Sequence, residues 1–264
     1  MKFTLSNVFS GASSALGRGF VPLLLASLML YTVPNQAVYI GMRLGLGVTI
    51  GTAQAFQPNV IWVTIAAMVV TYFLTFMHMS AIYEICVLTQ ARKPVKLGEV
   101  CAHAFGNAVP IFVIYVLCAL GWAVGGVLLL IPALIFGTLF SVVIPAYVTE
   151  KPGIFGAFSR SRALTKGHRW GVFGLWVLMV ILFYIAAILI ELPVLAPMMK
   201  ASMQARLNHT PVVPPMPSLV MVVALSVAFS AIWVIMLSIN ASVYSCLRAE
   251  KDTSSAASVE KVFE

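Results

Sequence analysis

From Val109 to Val148 the chain runs 40 residues without a single Asp, Glu, Lys or Arg. As one α-helix that stretch would be about 60 Å long at 1.5 Å per residue, roughly twice the thickness of a bilayer's hydrocarbon core. One spanning helix cannot use so much, and a water-soluble fold could not cover it. The stretch therefore reads as two membrane spans joined by a tight turn near Leu130-Ile131-Pro132. The rest of the chain agrees. Of its 264 residues, 61% are hydrophobic and 9% charged, against about 45–50% and about 25% in a typical soluble domain. A transmembrane barrel would instead show segments of roughly 10 residues with alternating polarity, and none is visible. The expected class is all-α: a polytopic membrane protein with about six spans.

The apolar runs place those spans at about 20–40, 60–84, 109–130, 132–149, 170–192 and 218–243. Pro34 should bend the outer end of the first. A Gly-rich connection covers 41–58. An outer loop at 193–217 holds Pro193, Pro197, Pro211, Pro214, Pro215 and Pro217. The polar, Ser- and Ala-rich residues 251–264 read as a disordered tail, which leaves 1–250 as the membrane domain. The first apolar run is long for a signal peptide and has no small-residue cleavage site close behind it, so it reads as a span.

Basic residues orient the spans. Lys2, Arg18, Arg92, Lys93, Lys96, Lys151, Arg160, Arg162, Lys166, Arg169, Arg248, Lys251 and Lys261 fall on one side, and Arg43, Lys200 and Arg206 on the other. The bias puts both termini in the cytoplasm of a bacterial inner membrane. It also accounts for the net charge of +8 through topology and anionic lipid rather than nucleic acid, for which no basic domain or zinc-binding spacing exists. Cys86, Cys101, Cys118 and Cys246 form no C-x-x-C and read as small packing residues in a reducing compartment.

A short pattern occurs three times, each time ahead of an odd-numbered span. The copies are Leu5, Val8, Phe9, Ala12; then Leu97, Val100, Cys101, Ala104; then Ile154, Ala157, Phe158, Ser161. The spacing i, i+3, i+4, i+7 is one face of a helix. A helix apolar on one side and placed beside a span is expected to lie in the membrane interface. The architecture expected is three hairpins of two spans, each preceded by a cytoplasmic interfacial amphipathic helix.

Ionisable groups inside spans are costly and often functional. His78 and Glu84 lie on the second span, Asn240 and Tyr244 share a face of the sixth, and Arg248 follows on the cytoplasmic side. Together these could line a small polar site, with Glu84 paired to Arg248. The alternative is that His78 bonds a neighbouring helix while Glu84 and Arg248 sit among headgroups. Gly121 and Gly125 form a G-x-x-x-G that reads as close helix packing. No H-E-x-x-H, G-x-S-x-G or P-loop is present, and eight acidic residues leave little for acid–base chemistry. No catalytic group, metal site or cofactor is assigned.

Several further residues carry a resemblance: Ile131-Pro132, Ile144-Pro145, Glu150, Gly153, Ser161, Leu164-Thr165-Lys166-Gly167, Trp170, Tyr244 and Leu247-Arg248. Across about 3–251 the chain resembles the membrane domain of some bacterial glycerophosphoryl diester phosphodiesterases and related stand-alone membrane proteins. The resemblance implies a six-span inner-membrane protein. The soluble catalytic domain of those phosphodiesterases has no counterpart in the few residues after the last span, so their activity is not carried over. The expected function is non-enzymatic: an inner-membrane protein that interacts with membrane lipids, or docks a protein partner or a second copy of itself. A component of a transport system is the alternative.

Overall fold

The computed structural model describes residues 3–46, 57–127, 130–208 and 218–260. Among them every regular element is helical. Six helical stretches are long and apolar enough to cross a membrane: Phe20–Gly45, Ile61–Gln90, Leu97–Val127, Ile131–Glu150, Arg169–Leu207 and Leu219–Thr253. The chain is a multi-pass helical membrane protein.

The first helix, α1 (Leu5–Arg18), starts at Thr4, whose hydroxyl accepts the Asn7 N–H at 3.2 Å. It stops at Gly19, which packs so closely that an added Cβ would sit 2.6 Å from the Ala15 carbonyl and 3.1 Å from Thr89 Oγ1. The first span follows as α2 (Phe20–Ser27), a π-helical turn (Leu28–Thr32) and α3 (Val33–Leu46). Pro34 lacks the N–H that the Leu30 carbonyl needs. The turn before it widens, and the Val33 N–H bonds the Leu28 carbonyl five residues back. The span continues past residue 40 into the expected Gly-rich connection as far as Leu46. Gly47 to Phe56 lie outside the described residues.

At the centre stands α4 (Ile61–Gln90), which packs on α1, α2, the π turn and α3, and on three later helices, α5 (Leu97–Val127), α7 (Val143–Glu150) and α10 (Leu219–Glu260). Its residues Phe76 to Tyr83 are buried without interruption, as expected of a helix surrounded on every side. Next is α5 (Leu97–Val127), unbroken through Pro110. The second copy of the repeat is thus the first turns of a spanning helix, not a separate interfacial one. Nothing between Leu97 and Val109 interrupts the helix.

The fourth span is broken into α6 (Leu130–Leu139) and α7 (Val143–Glu150). Pro132 and Pro145 each occupy the third position of their helix, within the first turn, where proline does not break the helix. The break leaves the Leu139 and Ser141 carbonyls without helical partners, because Val143 N–H turns to Phe140 and residue 145 is proline. Side chains replace them: Ser161 Oγ donates to the Leu139 carbonyl at 2.8 Å and Asn240 Nδ2 to the Ser141 carbonyl at 3.1 Å. In hydrocarbon an unmet carbonyl costs several kcal/mol, about the cost that selects against loops there.

After Lys151 (φ 50°) and Gly153 (φ 80°) comes α8 (Ile154–Thr165), closed by Gly167 at φ 98°, a conformation that favours glycine. Then α9 (Arg169–Leu207) runs straight through Pro193 and Pro197. The expected loop therefore starts some 15 residues late. The last helix, α10 (Leu219–Glu260), carries 251–260 with it. The helix extends into the expected tail as far as Glu260, with ion pairs described below near residue 250. Residues 209–217 and 261–264 lie outside the described residues.

The three four-residue patterns share a division between buried and exposed positions. Their second and fourth positions are buried: Val8 and Ala12, Val100 and Ala104, Ala157 and Ser161. Their first and third stay at least partly exposed: Leu5 and Phe9, Leu97 and Cys101, Ile154 and Phe158. The face expected to rest wholly on lipid is divided, with its small residues turned into the protein.

Candidate functional site

The five polar residues singled out in the sequence do not form one site. His78 is buried, with Nε2 2.9 Å from Ser27 Oγ on α2 and its ring stacked on Tyr31 at 5.2 Å. Glu84 pairs with His103 Nδ1 on α5 at 2.8 Å. Six residues separate His78 and Glu84, about 120° around the helix, and they face different neighbours. The expected Glu84–Arg248 pair does not form, because Glu84 is on the α5 side of α4 while Arg248 meets the end of α7.

Asn240 accepts from the Tyr83 hydroxyl at 3.2 Å while serving the Ser141 carbonyl. Tyr244, one turn on, donates to Glu150 Oε1 at 2.7 Å, and Thr149 Oγ1 lies 2.6 Å from its oxygen. Both residues do face the α6–α7 segment, yet each is held by its own partners.

Around Glu150 the helix ends lock together. Arg160 Nε meets Glu150 Oε2 at 2.8 Å and Arg160 Nη2 meets Asp252 at 3.5 Å. Arg248 Nε lies 3.6 Å from Glu150 Oε1 and 3.4 Å from Asp252. Partial burial alone would lower the Arg160 pKa, but its pairing with Glu150 and Asp252 outweighs that and raises it. Two carboxylates and two guanidinium groups satisfy one another here, so the network clamps α7, α8 and α10 and leaves no free acid or base. A second tie joins the chain's ends: Glu250 accepts from the Phe3 N–H at 2.8 Å and lies 2.9 Å from His168 Nε2.

Sequence reasoning also missed a polar seam on α4. Ser80 accepts from Asn107 on α5 at 3.0 Å. Tyr83, Cys86 and Gln90 meet Asn240, Ser238 and Ser242 on α10, the last two at 3.2 and 2.7 Å. The signal was present: 83, 86 and 90 share a helical face, as do 238 and 242. Such bonds hold spans together where hydrophobicity cannot.

An apolar crevice of about 310 Å³ lies between α2 with its π turn and α10. That is the lower end of the range for small-ligand pockets. Leu23, Ser27, Thr32 and Ser230 are buried in its wall. Phe20, Leu24, Val227 and Ile235 border it and remain exposed on the outer surface. Composition could not have located it, since a crevice depends on how the widened turn departs from α10. No family model, curated protein or solved structure matches the chain.

Proposed function

We propose that the chain is a non-enzymatic, lipid-holding protein of a bacterial cytoplasmic membrane, and that one phospholipid acyl chain occupies the crevice between α2 and α10. The crevice carries the reading. It is almost wholly apolar and is bordered by Phe20, Leu24 and Ile235, side chains left exposed on helices that cross the membrane. The medium around such helices is acyl chain, so the occupant of matching chemistry is already at the mouth. Thirteen basic residues against three support cytoplasmic termini. The packing of α2 and α3 on α4, α5 on α6, and α9 on α10 supports three hairpins. The family resemblance read from the sequence fits the same picture.

One observation favours transport as the second reading: His78 Nδ1 and Thr32 Oγ1 are buried without a hydrogen-bond partner, and such groups can await a polar ligand. Most of the seam is paired across helices, which is how structural glue behaves.

Native mass spectrometry after gentle extraction tests the choice. The wild type should retain phospholipid, and Ala231→Trp, which fills the crevice from α10, should retain one molecule fewer. Equal retention by both would contradict the crevice reading. A retained water-soluble metabolite, lost in His78→Ala, would favour transport.

A further inference from the structure

A second pocket, of about 500 Å³, lies where the joint between α1 and α2 meets the end of α4, lined by Arg18, Pro22, Thr89, Arg92, Lys93 and Val95. We infer that it binds a phosphate anion, carried by a phospholipid headgroup or free in solution. Three cations line it and no carboxylate does. Among the described residues none of the ion pairs engages Arg18, Arg92 or Lys93. Where α7, α8 and α10 meet, by contrast, Glu150 and Asp252 neutralise Arg160 and Arg248. Here three like charges share one concavity, an arrangement that repels itself until an anion enters.

The placement is built by the backbone. Gly19 lets the α1–α2 joint sit against Thr89, with no room for a Cβ, and so brings Arg18 beside the exit of α4. There the chain turns through Arg92 at φ 55°. The turn is held by the Arg92 N–H on the Thr89 carbonyl at 3.1 Å and the Lys93 N–H on the Leu88 carbonyl at 2.9 Å. A left-handed arginine is uncommon, and this one places two consecutive cations on the pocket. Guanidinium groups match phosphate oxygens two at a time, and a lysine adds a point charge. The pocket and the crevice use different faces of α2, so this site stands or fails independently of the crevice.

The test uses the full-length protein in detergent micelles, titrated with phosphatidylglycerol, phosphatidylcholine or inorganic phosphate and read by native mass spectrometry. The variant is Arg18→Gln, Arg92→Asn, Lys93→Gln, in which asparagine suits the left-handed backbone at 92. The control, Arg162→Gln, Arg169→Gln, Lys166→Gln, removes the same charge from exposed residues elsewhere. We expect phosphatidylglycerol to bind the wild type and the control alike, in preference to phosphatidylcholine, and to bind the variant about tenfold more weakly or less. Competition by inorganic phosphate would show that the phosphate alone is read. Lipid binding unmoved by phosphate would assign the site to a headgroup. Binding of none of the three, equal binding of the two lipids with no phosphate bound, or equal losses in variant and control would overturn the inference.

Discussion

Asn240 on α10 donates its amide to the carbonyl of Ser141 at 3.1 Å, the carbonyl that Pro145 leaves without a helical partner. A side chain thus completes the backbone of another helix inside the membrane. The Asn240 carbonyl oxygen is used as well, by Tyr83. Asn240→Ala should therefore cost about 1–3 kcal/mol, the range for leaving a buried polar group unmet. Pro145→Ala restores an N–H at the right position. In that background the cost of Asn240→Ala should shrink by at least about 0.5 kcal/mol, a coupling that a double-mutant cycle in detergent can resolve. Strict additivity would mean that Asn240 does something else.

The glycine spacing on α5 separates packing from coincidence. A Cβ at Gly125 would lie 2.8 Å from the backbone of Ala133, whereas one at Gly126 meets nothing within 4 Å. Gly125→Ala should destabilise by about 1–3 kcal/mol, while Gly126→Ala should be neutral or stabilise by up to about 1 kcal/mol. Thermal unfolding of the two variants side by side decides it; similar losses in both would rule out backbone contact as the cause.

Tyr244→Phe removes one hydroxyl from the Glu150 clamp and should cost about 1–2 kcal/mol. The loss should fall in a Glu150→Gln background, where the charged acceptor is already gone. An unchanged loss would place the hydroxyl's contribution with Thr149 instead.

Membrane orientation was read from charge alone. A reporter fused after Glu264 and active only in the cytoplasm should be active, and the same reporter placed after Asn208 should be silent. The reverse pattern would invert the proposed topology.

The spans were legible because hydrophobic length is a local property: the uncharged run at 109–148 needs two crossings whatever its partners do. The environment of the three i, i+3, i+4, i+7 patterns is not a local property. Val8, Val100 and Ala157 look alike as apolar residues, and only packing shows that they face protein while Phe9 faces outward. Proline is a poor guide to the helix ends. Pro193 and Pro197 lie inside α9, since a proline removes one hydrogen bond and can kink a helix without ending it. The polar site failed through a different limit. His78 and Glu84 sit about 120° apart around α4, and which helix each face meets is a tertiary fact. Arg248 met Glu150 rather than Glu84 for that reason.

The central claim is that lipid sits between α2 and α10. Photocrosslinking tests it most directly: the protein is reconstituted with a phospholipid carrying a diazirine in one acyl chain, irradiated, digested and mapped by mass spectrometry. Labels should concentrate on residues 20–32 and 227–235 and fall in Ala231→Trp. Labels spread along the exposed length of α9, with none enriched at the crevice and no response to Ala231→Trp, would contradict the account.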